Sequence, residues 1–308
     1  MSKAITMTYL VKVSAANVNA SHTEGNVQTI KRVTLPDGSV LPYISGQAVR
    51  RMLRDRLADL GWTLSEPFAK VSGQEVTPPV EPDKYIDEDL FGYMDASGGK
   101  RRTSPTRVSA LVGLFPYGGD RDLGTRAFER FTDAPPQAGG NMFETELYHN
   151  LFRATMLVEM DRVGNISENE LGKGKSPILL PVEQRRERLK ALVQALSVLW
   201  GGGRTARMLT DLAPRFMVYA RLTVKTPLFL EAVQAVYQQG SYYLRTEPIL
   251  HAVQRVPNEW RKVVLVGYEP GFFANEAEFR DALSRTSTVM PMAELTPAIL
   301  KDIEEGMQ

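Results

Sequence analysis

Apolar and polar side chains alternate in segments that lie far apart along the chain, and this period of two limits the possible folds more than any other feature. From 5 to 13, Ile5, Met7, Tyr9, Val11 and Val13 share one side while Thr6, Thr8 and Lys12 share the other, which predicts a half-buried strand. The same period recurs at 107–115, 155–160 and 216–224, and 262–268 is a fifth strand segment. Helical spacing replaces it at 45–60, where Val49, Met52, Leu53, Leu57 and Leu60 recur behind Ser45 as N-cap. A second helix follows Pro181, buries Leu189, Leu192, Val193, Leu196 and Leu199, and stops at Gly201-Gly202-Gly203. Shorter helices are expected near 228–238, 275–286 and 295–305. Few strands separated by helices imply an α+β fold, with helices stacked on one antiparallel sheet.

Between these elements run long polar stretches at 14–44, 65–106, 116–143 and 162–182. Structureless connections beyond about 12–15 residues are uncommon in a compact domain and usually serve function. A small core with large insertions suits a protein that grips something extended.

The 308 residues allow one elaborated domain or two ordinary ones. Lys plus Arg total 37 against 36 Asp plus Glu, so a nucleic-acid site would have to be a local patch. The absence of cysteine excludes disulfides, thiolate nucleophiles and Cys-based metal sites, and only His22, His149 and His251 are available as imidazoles. No metal or cofactor is expected. The start, MSKAITMTYLVKV, lacks the character of a signal peptide, and no stretch is apolar enough to span a membrane, so the expected location is cytoplasmic.

The most informative segment runs from Tyr43 to Arg54. At 100° per residue its apolar side chains gather on one side, and Arg50, Arg51 and Arg54 fan across about 100° of the other. These guanidiniums lie near a helix N-terminus, with Ser45 and Gln47 as neutral donors, an arrangement suited to a phosphate backbone. The same pattern also fits a solvated helix face paired to Asp55 and Asp59. A second basic cluster, Lys100-Arg101-Arg102 with Arg107, runs into a strand; Lys31 and Arg32 close a loop, and Arg204 and Arg207 follow the glycines. Cations concentrated at such junctions in a chain of near-zero net charge favour a phosphate track.

Signals for catalysis are weak. Gly174-Lys175-Ser176 lacks the glycine of a P-loop at Asn169, and Pro177 follows where a helix should begin. His22, among Asn19, Ser21 and Glu24, reads as a loop contact, and His149 as a packed histidine. Asp87, Glu88 and Asp89 read as exposed carboxylates without the apolar setting that tunes an acid or base.

The order Asn19, Gly25-Asn26, Lys31-Arg32, then Pro42-Tyr43-Ile44-Ser45-Gly46-Gln47-Ala48-Val49-Arg50-Arg51-Met52-Leu53-Arg54, then Gly202-Gly203-Arg204 after a long helix, resembles a known family. It is similar to the backbone subunit of type I CRISPR Cascade complexes, the Cas-seven superfamily, and most of all to its DevR-type (type I-B) branch. The resemblance runs over roughly 5–230. It implies a hand-shaped molecule: an RRM-like (ferredoxin-like) antiparallel palm at about 1–60, 107–161 and 183–270, helical fingers from 61–106, and a thumb at about 162–182, with 116–143 as second choice. It further implies copies stacked head to tail along a CRISPR RNA, whose bases stay free to pair with target DNA, among other Cascade subunits of the Cas-five, Cas-six and Cas-eight types.

By motif position, the resemblance makes Ser45, Gln47, Arg50, Arg51 and Arg54 contacts to the RNA backbone. To these it adds Asn19, His22, Lys31 and Arg32 from the preceding loop and Arg204 and Arg207 from the glycine-rich turn. Arg101, Arg102 and Arg107 join the set as the second basic cluster. Type III relatives cut target RNA with an Asp in the first loop; here 19–29 holds Glu24 and Asn26 but no Asp, so the expectation is a non-enzyme, the alternative being a type III-like endoribonuclease.

Overall fold

The first strand is longer and more deeply buried than its alternation predicts. In the computed structural model, which describes residues 2–66, 68–69, 76–95, 98–126, 141–203 and 207–307, β1 spans Ala4–Ala16. Thr6 and Thr8, read from sequence as the outer face, are wholly buried, and Thr8 Oγ1 meets Thr155 Oγ1 at 2.7 Å. A strand at the centre of a sheet covered on both faces has no wet side, so the Thr8 hydroxyl pairs with that of Thr155 instead of water, while Thr6 Oγ1 is buried without a partner among the described residues.

The main sheet continues with β2 (Arg32–Thr34), β3 (Val40–Ile44), β4 (Thr106–Val108), β5 (Leu111–Gly113), β6 (Tyr148–Glu159), β7 (Phe216–Leu222), β8 (Arg261–Tyr268) and β9 (Thr288–Pro291). The helices are α1 (Gly46–Asp59), α2 (Ile86–Phe91), α3 (Glu168–Leu171), α4 (Val182–Ser197), α5 (Glu247–Gln254), α6 (Glu276–Ser284) and α7 (Met292–Gly306). Strand order is β9-β8-β7-β1-β6-β5-β3-β2, with β4 also on β6. Both long central neighbours of β1, β6 and β7, run antiparallel to it. The expectation of a purely antiparallel sheet fails at one edge: β9 runs parallel to β8, because α6 carries the chain back across the sheet before β9 begins.

Two cores result. Ile5, Met7, Tyr9, Val11 and Val13 pack against α1, α4 and α7 on one face. On the other, Leu10, Phe216, Val218 and Ala220 pack under α5, α6 and the hairpin Gln234–Gln238/Ser241–Arg245. That hairpin corrects the helix expected at 228–238. Gln239 and Gly240 both take positive φ, 50° and 79°, which forms the tight two-residue turn that β-branched and aromatic neighbours favour over a helix.

The long polar stretches are structured where described. Ala20–Glu24, Val27–Ile30, Arg121–Arg126 and Asn141–Glu146 form a second sheet, whose outer hairpin pairs Arg121 with Glu146 through to Arg126 with Asn141. The 162–182 stretch holds α3 and a two-strand ladder, Asn165–Ile166 with Ile178–Leu179, and is tied to the body by buried charges. Asp87, Glu88 and Asp89, expected to be exposed, are 5%, 2% and 0% exposed. Asp89 meets Arg102 and Arg188 at 2.7 Å each and accepts the Gly164 N–H, joining α2, α4 and the strand Lys100–Arg102. His149, expected to be packed, alternates outward on β6 and is exposed. Among the described residues, no helix is long and apolar enough to cross a membrane.

Candidate nucleic-acid interface

The interface is built around the start of α1. Ser45 is the N-cap, its hydroxyl oxygen accepting from the Ala48 N–H at 3.3 Å, and Asn19 Oδ1 accepts from the Ser45 N–H at 2.9 Å. The helix lies close to the sheet because Gly46 has no side chain: a Cβ there would sit 2.4 Å from the Val108 carbonyl oxygen. A bulge in β1 between Val13 and Ala16, with Ala15 at φ 53°, turns the chain toward this corner. There Val18 N–H donates to the Tyr148 hydroxyl, and the Val18 carbonyl accepts from Gly203 N–H at 2.8 Å. The glycine-rich turn after α4 thus closes on Val18, with Gly201 against Met52 of α1. A Cβ on Gly202, at φ 115°, would meet Val18 at 2.6 Å.

Between this turn and α2 runs the exposed face of α1, carrying Gln47, Arg50, Arg51 and Arg54. Its buried stripe is Val49, Met52, Leu53, Arg56 and Leu57. Arg51 pairs with Asp55 at 3.1 Å and is 77% exposed. Arg50 donates to the Phe91 carbonyl, while its Nε is buried without a partner among the described residues. Burial, and then the nearby Arg54, lower the Arg50 pKa; burial likewise lowers that of Arg54, partly offset by Asp87. Arg54 Nε lies 3.5 Å from Asp87 Oδ2. Such crowded, half-desolvated cations gain from a polyanion in a way that solvated ones do not.

The other sequence candidates divide. Arg207 lies with its guanidinium 4.8 Å from the Phe143 ring centroid, one residue from Met208, whose sulfur takes the Asn17 N–H. Lys31 is half-buried and Arg32, on the edge strand β2, lies 3.6 Å from Glu146. His22 stands exposed on the strand Ala20–Glu24, its Nε2 2.8 Å from Glu24 Oε1. Arg101 is exposed on the strand Lys100–Arg102. Arg107 is not on the α1 side: it faces Leu157, whose partner on β1 is Thr6, so it points to the opposite face, where it pairs with Glu159.

Arg102 is corrected outright. Its side chain is 0% exposed and its guanidinium is consumed by Asp89, Glu170 and three backbone carbonyls, so a basic run in sequence hid a buried tie. Arg204 lies outside the described residues. Sequence reasoning missed the rings that seat the arginines, Phe91 under Arg50 and Arg54 and Trp200 under Arg56. Only the Phe91-Gly92 pair, with Gly92 ending α2 at φ 74°, left a local signal for the first. Among the described residues, no group of three or more His, Asp or Glu is placed to hold a metal ion.

An α+β scaffold presenting a cationic helix beside a glycine-rich turn is the class these features define. The family model described as the CRISPR-associated negative auto-regulator DevR/Csa2 matches residues 82–241, and the chain belongs to that family. It is 23% identical over 269 residues to the CRISPR-associated protein Cas7/Cst2/DevR of Myxococcus xanthus (strain DK1622), covering 79% of this chain and 80% of the relative. Its fold is similar to a chain of a solved CRISPR RNA-guided surveillance complex, pre-nicking, at TM-score 0.67 and 13% identity over 97% of this chain and 100% of that one. A chain of another CRISPR RNA-guided surveillance complex gives TM-score 0.61 at 14% identity, over 97% of this chain and 98% of the other.

Proposed function

We propose that this chain is the backbone subunit of a type I, I-B-like Cascade surveillance complex, holding the phosphate backbone of a CRISPR RNA so that its bases can pair with target DNA. The observation that carries the reading is the α1 face: guanidiniums that are only partly paired, Arg50 to the Phe91 carbonyl, Arg51 to Asp55 and Arg54 to Asp87, beside a glycine-rich turn, in a fold shared with chains of CRISPR RNA-guided surveillance complexes. A guide that must pair with any target requires holding that ignores sequence, which phosphate contacts supply. The palm is RRM-like: β1, α1, β4 and β5, β6, α4 and β7 follow one another with β7-β1-β6 at the centre and both helices on one face. The hairpin Arg121–Arg126/Asn141–Glu146 fits the thumb better than 162–182, which is anchored at Asp89 and Glu170. Head-to-tail contacts between copies, which do not close on themselves, follow a linear guide. The other Cascade subunits complete the particle.

The chain is proposed to be non-catalytic, because 19–29, the stretch in which type III relatives carry their Asp, holds Glu24 and Asn26 but no Asp. Co-expression with the neighbouring genes, followed by extraction and sequencing of copurifying RNA, tests the assignment; uniform repeat–spacer RNAs in a large assembly are expected, and a nucleic-acid-free monomer would overturn it. Replacing Arg50, Arg51 and Arg54 together should abolish RNA retention without unfolding the chain. Each phosphate left without its guanidinium should lower the salt slope by about 0.7. Metal-dependent cutting of RNA paired to the guide would establish the type III-like alternative.

A further inference from the structure

Arg50 and Arg54 sit one helical turn apart on α1, and both guanidiniums lie over the same ring: Phe91, whose centroid is 5.6 Å from Arg50 Cζ and 4.6 Å from Arg54 Cζ. The Phe91 carbonyl also accepts from Arg50. Four residues earlier on α2, Asp87 reaches Arg54 Nε at 3.5 Å and is held in place by Ser65, whose N–H and hydroxyl donate to its two oxygens at 2.9 and 2.8 Å. Phe91 itself is fixed, 2% exposed, where α2 ends at Gly92. A Cβ on Gly92 would stand 2.1 Å from the Arg102 carbonyl oxygen. Behind the ring, Asp89 anchors the same helix to Arg102 and Arg188.

Resting on the guide-binding reading above, we propose that α2 is a positioning element for the arginine face. In it the Phe91 ring fixes the spacing and aim of Arg50 and Arg54 toward successive phosphates, and Asp87 competes with phosphate for Arg54. A ring beneath a guanidinium holds it flat and leaves its N–H edge free, so two stacked guanidiniums lose little side-chain freedom when an anion arrives. The carboxylate does the opposite, since any phosphate oxygen on Arg54 must displace it or share the fork with it. The two residues therefore act in opposite directions on one pair of arginines, a pattern that a purely structural role for α2 does not produce.

The test is binding of a fluorescein-labelled single-stranded RNA to the purified full chain across a salt series, with thermal unfolding measured in parallel. Phe91→Leu, which keeps apolar bulk and removes the ring, should weaken binding by about 3–10-fold. It should also flatten the salt slope by about 0.7 for each guanidinium that no longer reaches its phosphate. Asp87→Asn, which keeps an acceptor for the Ser65 N–H, should tighten binding by about 2–5-fold. Phe91→Leu binding with wild-type affinity and slope, or Asp87→Asn weakening it, overturns the proposal. If Phe91→Leu fails to fold, the sign of the Asp87→Asn effect decides alone. A wild-type chain that binds no RNA while folded removes the guide-binding reading and this inference together, whereas wild-type binding with unaltered variants removes only the inference.

Discussion

At position 202 the backbone adopts φ 115° against the Val18 carbonyl, so a methyl group there is opposed both by its own backbone and by a neighbour that cannot yield. Gly202→Ala should cost about 1–3 kcal/mol in chemical denaturation and weaken RNA binding, because the turn it distorts holds Val18, next to the Asn19 that accepts from the Ser45 N–H. Arg102 makes the contrasting case. In sequence it is one of a basic run, yet Asp89 is wholly buried against it. Replacing Arg102 with Met should cost about 3–5 kcal/mol by urea unfolding, because a buried carboxylate loses a partner. Residue type alone does not separate such ties from ligand contacts. The acids that neutralise Arg102 lie 13 and 68 residues away in sequence, and only the fold brings them together.

Among the elements, those defined by their own periodicity were legible. The strand at 5–13, the helix behind Ser45 and the helix after Pro181 all exist, because in each a local repeat coincides with the face that the core covers. The arginine face of α1 was legible for the same reason. Elements set by turns or by distant partners were not. The hairpin at 234–245 depends on two positive-φ residues in Gln239-Gly240, and α2 is only six residues long and is held by remote arginines. The approach of α1 to β4 likewise depends on Gly46. Gly46→Ala should push the first turn away from the Val108 carbonyl, lowering the melting temperature and loosening RNA binding together, since Ser45, Gln47 and Arg50 move with it. A variant that melts normally yet binds poorly would show instead that the position touches RNA directly.

Across the molecule, charge is balanced overall but divided by role: buried or half-buried acids tie segments together, while on α1 Arg51 stays exposed and Arg50 and Arg54 are only partly paired. This division fixes how stability responds to pH. Burial alone would raise the pKa of Glu159, but the hydrogen bond from Lys225 and the charge of Arg107 outweigh it and leave the carboxyl below its ordinary value. Glu170 is likewise lowered, burial being outweighed by the Ser167 N–H and by Arg102. A carboxyl depressed in the folded state contributes stability that is fully present above its unfolded pKa, about 4.3, and lost as pH falls through its folded value. Glu88 acts in the opposite sense, since burial raises its pKa and protonation favours the folded state there. The chain should therefore keep its stability down to about pH 5 and lose it below about pH 4.3, as the ties at the end of β6 and across α3 are protonated. Glu159→Gln and Glu170→Gln should each lower stability at pH 7 and flatten the acid limb in urea titrations at stepped pH. Glu88→Gln should steepen that limb by removing the opposing group. An acid limb unchanged in all three variants would place acid sensitivity in other carboxylates.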